Sequence, residues 1–116
     1  MVSAAEREAA VFHQRVAARQ YDTIYDTAAP AFQSSLNRLA SAKYFAAIRD
    51  KIAACKPPDE APAYVTNTTA AGTRVQLRYR LACANGVLEE TMLYVISGDR
   101  PRLAGYIATS PALAMK

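Results

Sequence analysis

The stretch Arg74-Val75-Gln76-Leu77-Arg78-Tyr79-Arg80-Leu81-Ala82-Cys83-Ala84-Asn85-Gly86-Val87-Leu88 decides the fold. Val75, Leu77, Tyr79, Leu81 and Cys83 alternate with Arg74, Gln76, Arg78, Arg80 and Ala82. A period of two marks a strand with one face on a core and the other toward water. Asn85-Gly86 follows, and both residues tolerate the positive φ of a type I′ turn, so the chain is expected to double back as a hairpin. The next strand runs from Val87 to Ser97, Gly98-Asp99 turns the chain again, and a last strand runs from Arg102 to about Thr109. An earlier strand, Ala63 to Thr69, joins through Ala70-Ala71-Gly72.

A two-residue loop at Asn85-Gly86 pairs Ala84 with Val87, and that register sets the rest of the ladder. Tyr79 then faces Met92, Leu77 faces Tyr94, Val75 faces Ile96 and Leu81 faces Glu90. The expected core face carries Val75, Leu77, Tyr79, Leu81, Leu88, Met92, Tyr94 and Ile96, with Glu90 as its one acid. A buried carboxylate is costly unless paired. Glu90 therefore reads either as a strand-end residue reaching solvent or an arginine, or as a pocket acid of raised pKa. Leu93, Val95, Ala104 and Tyr106 are expected on the opposite face with Gln76, Arg78 and Arg80. That face is more apolar than solvation requires, which points to a homodimer through the outer sheet face.

Upstream of Pro58 the period is that of a helix. Ser3 and Glu6 have capping-box spacing. Ala5, Ala9, Phe12 and Val16 form one apolar stripe, predicting a first helix from about Ala4 to Arg19. Asp22 can cap a short second helix through Thr23, Ile24, Tyr25 and Asp26, and Pro30 stops it or opens the next turn. Between Pro30 and Ala40, Phe32, Leu36 and Leu39 fit a helical face that Ser34, Ser35 and Asn37 weaken. A third helix is expected from a Ser41 cap, with Phe45, Ile48, Ile52 and Cys55 on one face and Lys56-Pro57-Pro58 as its stop. The chain thus reads as one α+β domain over residues 1–116. About three N-terminal helices pack on a strongly curved four-stranded antiparallel sheet, a cystatin-like, cone-shaped roll.

Size and charge agree with that class. A chain of 116 residues suits a single core and buries roughly 65% of its unfolded surface. Fourteen Lys plus Arg against ten Asp plus Glu give a net charge of +4. Arg74, Arg78, Arg80, Arg100 and Arg102 are interleaved with Glu89, Glu90 and Asp99, which argues against a nucleic-acid interface. No run of about 18 apolar residues is present to span a membrane. Met1-Val2-Ser3 leads straight into a charged helix, which suits an exported domain without its leader and a cytoplasmic domain alike.

The order of helix, short helix, helix and twisted antiparallel sheet resembles the nuclear-transport-factor-two-like cone, also called SnoaL-like or ketosteroid-isomerase-like. Within that group the chain is similar to a family of small bacterial secreted or lipoprotein-type domains. The matching pieces are Phe12-His13-Gln14 through Gln20-Tyr21-Asp22-Thr23-Ile24-Tyr25, Ala29-Pro30-Ala31-Phe32, Ile48-Arg49-Asp50-Lys51-Ile52 and Arg102-Leu103-Ala104-Gly105-Tyr106-Ile107. These are packing and turn residues. The resemblance implies a fold and a periplasmic or secreted location, with lipid anchoring in a full-length precursor, and it assigns no active site.

The chemistry available is narrow. Two cysteines and the single His13 do not make a zinc site, and no Cys-x-x-Cys, phosphate loop or nucleophile elbow is present. No cofactor is expected. Cys55 ends the third helix, and Cys83 falls opposite roughly Glu60, close to that helix end. A Cys55–Cys83 disulfide would suit an oxidising compartment and stabilise by roughly 3–4 kcal/mol; two buried thiols are the alternative. Intact mass before and after reduction and alkylation separates them, since two freely alkylated thiols in unreduced protein exclude the bond.

His13, beside Phe12, reads as a helix-boundary residue. Tyr79, Glu90, Tyr94 and Tyr25 are the candidate binding residues, and Glu90 is the weak catalytic candidate. Three functions compete: binding of a small apolar ligand or an envelope protein without catalysis, an isomerase or dehydratase with Glu90 as acid–base and Tyr79 or Tyr94 as donor, and a structural dimerisation module.

Overall fold

A computed structural model describes residues 2–51, 56, 62–70, 72–83, 86–98 and 100–109. Four helices precede four strands: α1 (Val2–Ala17), α2 (Tyr21–Thr27), α3 (Pro30–Ser35), α4 (Arg38–Lys51), β1 (Ala63–Thr69), β2 (Gly72–Cys83), β3 (Gly86–Ser97) and β4 (Arg100–Thr109). The strands form one open antiparallel sheet in the order β1-β2-β3-β4. The α+β class expected from the sequence is the one observed, with a fourth helix where Pro30 to Ala40 had been ambiguous.

The helix ends explain where the expected boundaries moved. Ser3 lies inside α1, which already runs from Val2, so it is not the cap. At the other end Arg19 adopts φ 60°. Gln20 N–H donates to Arg15 O at 2.8 Å and Arg19 N–H to Val16 O at 3.1 Å. This is a Schellman closure with an arginine in the left-handed position, and it stops α1 before Arg19. Asp22 sits in the first turn of α2 rather than before it, where its charge suits the helix dipole. Pro30 occupies the first turn of α3, where its missing N–H costs nothing. Asn37, not Ser41, caps α4: its Oδ1 accepts the Ala40 N–H at 2.7 Å. Ser41 instead lies fully buried within the helix, its hydroxyl without a hydrogen-bond partner.

The hairpin register differs from the expected one by two residues. Cys83 pairs with Gly86, Leu81 with Leu88, Tyr79 with Glu90, Leu77 with Met92 and Val75 with Tyr94. Gly86, at φ 131°, takes a place in the ladder instead of the loop. A shift of two preserves which side each residue faces. Val75, Leu77, Tyr79, Leu81, Leu88, Met92 and Tyr94 are accordingly buried, and Ile96 packs against them.

One face assignment is overturned. Leu93 pairs with Gly105 but Tyr94 pairs with Leu103, so Ala104 has no partner and forms a β-bulge. One extra residue reverses the alternation beyond it. Tyr106 therefore pairs with Met92 on the core side instead of lying on the outer face.

Helices α1 to α4 cover the core side of β2 to β4. Ala5, Ala9 and Phe12 of α1, Ile24 of α2, Phe32 of α3, and Phe45 and Ile48 of α4 join the sheet residues in one buried cluster. The Ala29 N–H donates to Leu103 O at 2.8 Å, fastening the α2–α3 connection to β4.

Candidate functional site

Glu90 is the polar residue around which the core is built. It stands between Tyr79 on β2 and Ala108 on β4, and only 3% of its surface is exposed. His13 Nε2 donates to its Oε1 at 2.5 Å. The Tyr106 hydroxyl donates to Oε2. Each carboxylate oxygen thus has one donor, which is what makes a buried acid tolerable. Glu90 is not at the solvent rim of the sheet, and among the described residues no arginine forms an ion pair with it.

Two elements supply the donors for separate reasons. Phe12 is buried on the apolar stripe of α1, and His13 follows it at the border of the stripe, four residues after Ala9. Its ring meets Tyr79 edge-on at 5.4 Å and keeps 24% of its side-chain surface exposed. Tyr106 reaches Glu90 only because the bulge at Ala104 turns it inward. Once there it packs against Phe12 at 4.9 Å and Phe45 at 5.5 Å between ring centres. Rings therefore pack against the Tyr106 side chain that reaches Glu90.

Burial raises the pKa of four tyrosines around this array. The Tyr106 hydroxyl is pushed far up by desolvation first, then by the Glu90 charge and the hydrogen bond to it. Tyr94 is also raised strongly, chiefly by desolvation. Tyr79 rises to about 12, from desolvation and then the charges of Glu6 and Glu90. Tyr44 moves upward mainly through desolvation. All four stay neutral at physiological pH and act as donors or packing surface.

Of the residues expected to form a binding site, the fold brings Glu90, Tyr79 and Tyr94 to one region. Tyr25 lies apart from them. Its hydroxyl donates to Gln33 O at 3.1 Å and its ring carries the Arg38 guanidinium at 5.4 Å, so it ties α2 to α3 and α4. Sequence reasoning missed His13 and Tyr106 as partners of Glu90. The available signals were the four-residue step from Ala9 to His13 and the broken alternation at Ala104-Gly105.

Each oxygen of Glu90 already accepts one hydrogen bond from a neighbour, and the residue is only 3% exposed, which restricts the reach toward substrate that a general base needs. A half-open cavity of about 20 Å³ between α1, α2 and the start of β4, bordered by Phe12, Ile24, Tyr94, Pro101 and Leu103 and rimmed by Glu8, Arg15 and Thr27, has room for roughly one water molecule. Among the described residues no group of three or more His, Cys, Asp or Glu is placed to hold a metal ion.

At the far end of β2, the Lys56 N–H donates to Ala82 O at 2.9 Å. The residue after Cys55 thus lies against the residue before Cys83. Cys55 itself, with Glu60 and Ile52, lies outside the described residues.

On the outer side of the sheet Val65 and Ile107 are exposed, and Leu93 and Val95 are half-buried. Register places Val65, Gln76, Leu93 and Gly105 in one cross-strand row and Asn67, Arg74, Val95 and Arg102 in the next. A third row holds Ala63, Arg78, Thr91 and Ile107. Arg74, Arg78 and Arg102 are exposed, and among the described residues none has an acid within ion-pair distance. Among the described arginines of the sheet, Arg80 has one, Glu89 at 3.6 Å. No described helix is long and apolar enough to cross a membrane. No family model matches the chain, and no curated protein matches it.

Proposed function

We propose that this chain is a non-enzymatic binding domain of the nuclear-transport-factor-two-like kind, and that it docks an acidic protein partner on the outer face of its sheet. The observation carrying this reading is the cross-strand interspersion of Arg74, Arg78 and Arg102 with Val65, Leu93, Val95 and Ile107. Exposed cations with no ion-pair partner among the described residues, set among apolar side chains, fit a partner surface that mixes carboxylates with apolar groups. A second copy would bring two sets of exposed arginines into one interface, which disfavours self-pairing there. An isomerase or dehydratase reading has less support, because Glu90 is 3% exposed and each of its oxygens already accepts a hydrogen bond within the fold. The fold order supports the cone class, and the disulfide-bonded state of Cys83 supports a domain built for an oxidising compartment.

The test uses a labelled peptide of alternating glutamate and leucine as the probe, titrated by fluorescence anisotropy at low and physiological salt. Binding that weakens with salt and falls at least tenfold in Arg74→Glu/Arg78→Glu/Arg102→Glu supports the reading. Binding unchanged by the triple reversal, or none at all at low salt, overturns it. Equal binding of a single-stranded oligonucleotide would replace it with phosphate recognition.

A further inference from the structure

The two edges of the sheet are treated differently. β4 is guarded: Arg100 and Arg102 are exposed along it, Pro101 removes a donor, Ala104 bulges out of register, and Ala29 occupies the Leu103 carbonyl. These are the devices that keep an edge from pairing with another chain. β1 has none of them. Ala63-Tyr64-Val65-Thr66-Asn67-Thr68-Thr69 contains no charge, proline or glycine, and it keeps an unbroken register with β2 from Ala63↔Arg78 to Thr69↔Gly72. Among the described residues β1 pairs with β2 alone, and all seven of its residues are exposed. Tyr64 is 58% and Val65 63% exposed.

We infer that β1 is a strand-addition site whose occupant is β1 of a second copy of this chain, joined antiparallel about a two-fold axis through Thr66. That axis sets Tyr64 against Thr68 of the second copy, Val65 against Asn67, and Thr66 against its own counterpart. Residues of equal parity meet, so backbone groups turned away from β2 meet groups turned away from β2 in the other copy. Both copies keep their helix-bearing sides on the same side of the sheet, and the four strands become eight. Isologous closure of this kind is self-limiting, so it yields a dimer and not a fibre. The neutral strand brings no like charges together, and Tyr64, beyond the cover of the helices, gains Thr68 and Thr66 of the second copy as packing partners. An acidic or basic partner strand would find no charge on β1 to recognise, which is why a second copy is the better occupant. The outer-face reading is independent of this edge.

A single edge-to-edge contact is smaller than a standard interface, so the dimer is expected to dissociate on the order of 100 µM. Sedimentation equilibrium from 10 µM to 1 mM reads the mass, which should climb from 12.6 kDa toward twice that value. Because Thr66 meets itself, Thr66→Lys and Thr66→Glu should each weaken association at least tenfold, and an equimolar mixture of the two should restore it as a heterodimer. Circular dichroism of each variant confirms folding, since the Thr66 side chain is exposed. A wild-type mass that stays monomeric to 1 mM overturns the inference, as does a dimer that persists in Thr66→Lys. Failure of the mixture to regain association, with both variants folded, removes the two-fold register. Loss of the dimer in the outer-face triple reversal would assign it to that face instead.

Discussion

Glu90 is an acid with two donors and almost no solvent, and its neighbours are tied to it asymmetrically. The Tyr106 ring packs against Phe12 and Phe45, whereas His13 keeps 24% of its side-chain surface exposed. Removing the Tyr106 donor leaves a buried carboxylate oxygen unpaired. Tyr106→Phe should lower unfolding free energy by about 1–3 kcal/mol. Glu90→Met strands the Tyr106 hydroxyl in turn, and the double variant should cost less than the sum of the two singles by at least about 1 kcal/mol. Urea midpoints of the four proteins give the cycle; strict additivity would mean the hydrogen bond contributes nothing. Sequence patterning found Glu90 because a single acid interrupted an apolar face. It could not find its donors, since a hydrogen bond between residues 77 positions apart leaves no periodic trace.

Local signals at the level of elements were read in kind and missed in detail. The period of two located the Arg74–Cys83 strand, turn signals placed the other three, and the period of 3.6 located the helical half, because the periods follow from where side chains point. Caps were misplaced where several polar residues compete at a helix start. At α4 the choice between Asn37 and Ser41 rests on which side chain reaches an unsatisfied N–H, and Asn37 does so at 2.7 Å. Asn37→Ala should therefore cost about 1 kcal/mol. Ser41→Ala should be neutral or stabilising by up to about 1 kcal/mol, because it removes a buried hydroxyl with no partner. Thermal melts of the two variants should move in opposite directions or leave Ser41→Ala unmoved; a large loss in Ser41→Ala would mean that its hydroxyl is bonded in solution.

At the scale of the molecule, four tyrosines of raised pKa make stability sensitive to alkali. Tyr44, Tyr79, Tyr94 and Tyr106 lose their protons less readily in the fold than in the unfolded chain. Above pH 10 the unfolded chain releases those protons while the folded one retains them. Their contribution is thus complete below about pH 10 and declines as pH rises past it. Urea midpoints should be level from pH 7 to 9.5 and fall steeply toward pH 12. Tyrosinate absorbance should show these four of the seven tyrosines ionising together with unfolding. A smooth non-cooperative titration of all seven with the midpoint unchanged would contradict it.

The strand alternation from Arg74 to Ser97 and the helical stripe from Ala5 to Val16 are properties of consecutive residues. The sequence by itself therefore determined the α+β class, the order of the elements, the buried side of the central hairpin and the presence of one acid on it. The hairpin register, the bulge at Ala104 and the meeting of His13, Glu90 and Tyr106 were decided only in the tertiary structure. Register and bulge depend on which of several nearly equal pairings packs best against the helices. A one-residue bulge then reverses every side chain beyond it, and through that reversal Tyr106 left the outer face and became a partner of the buried acid.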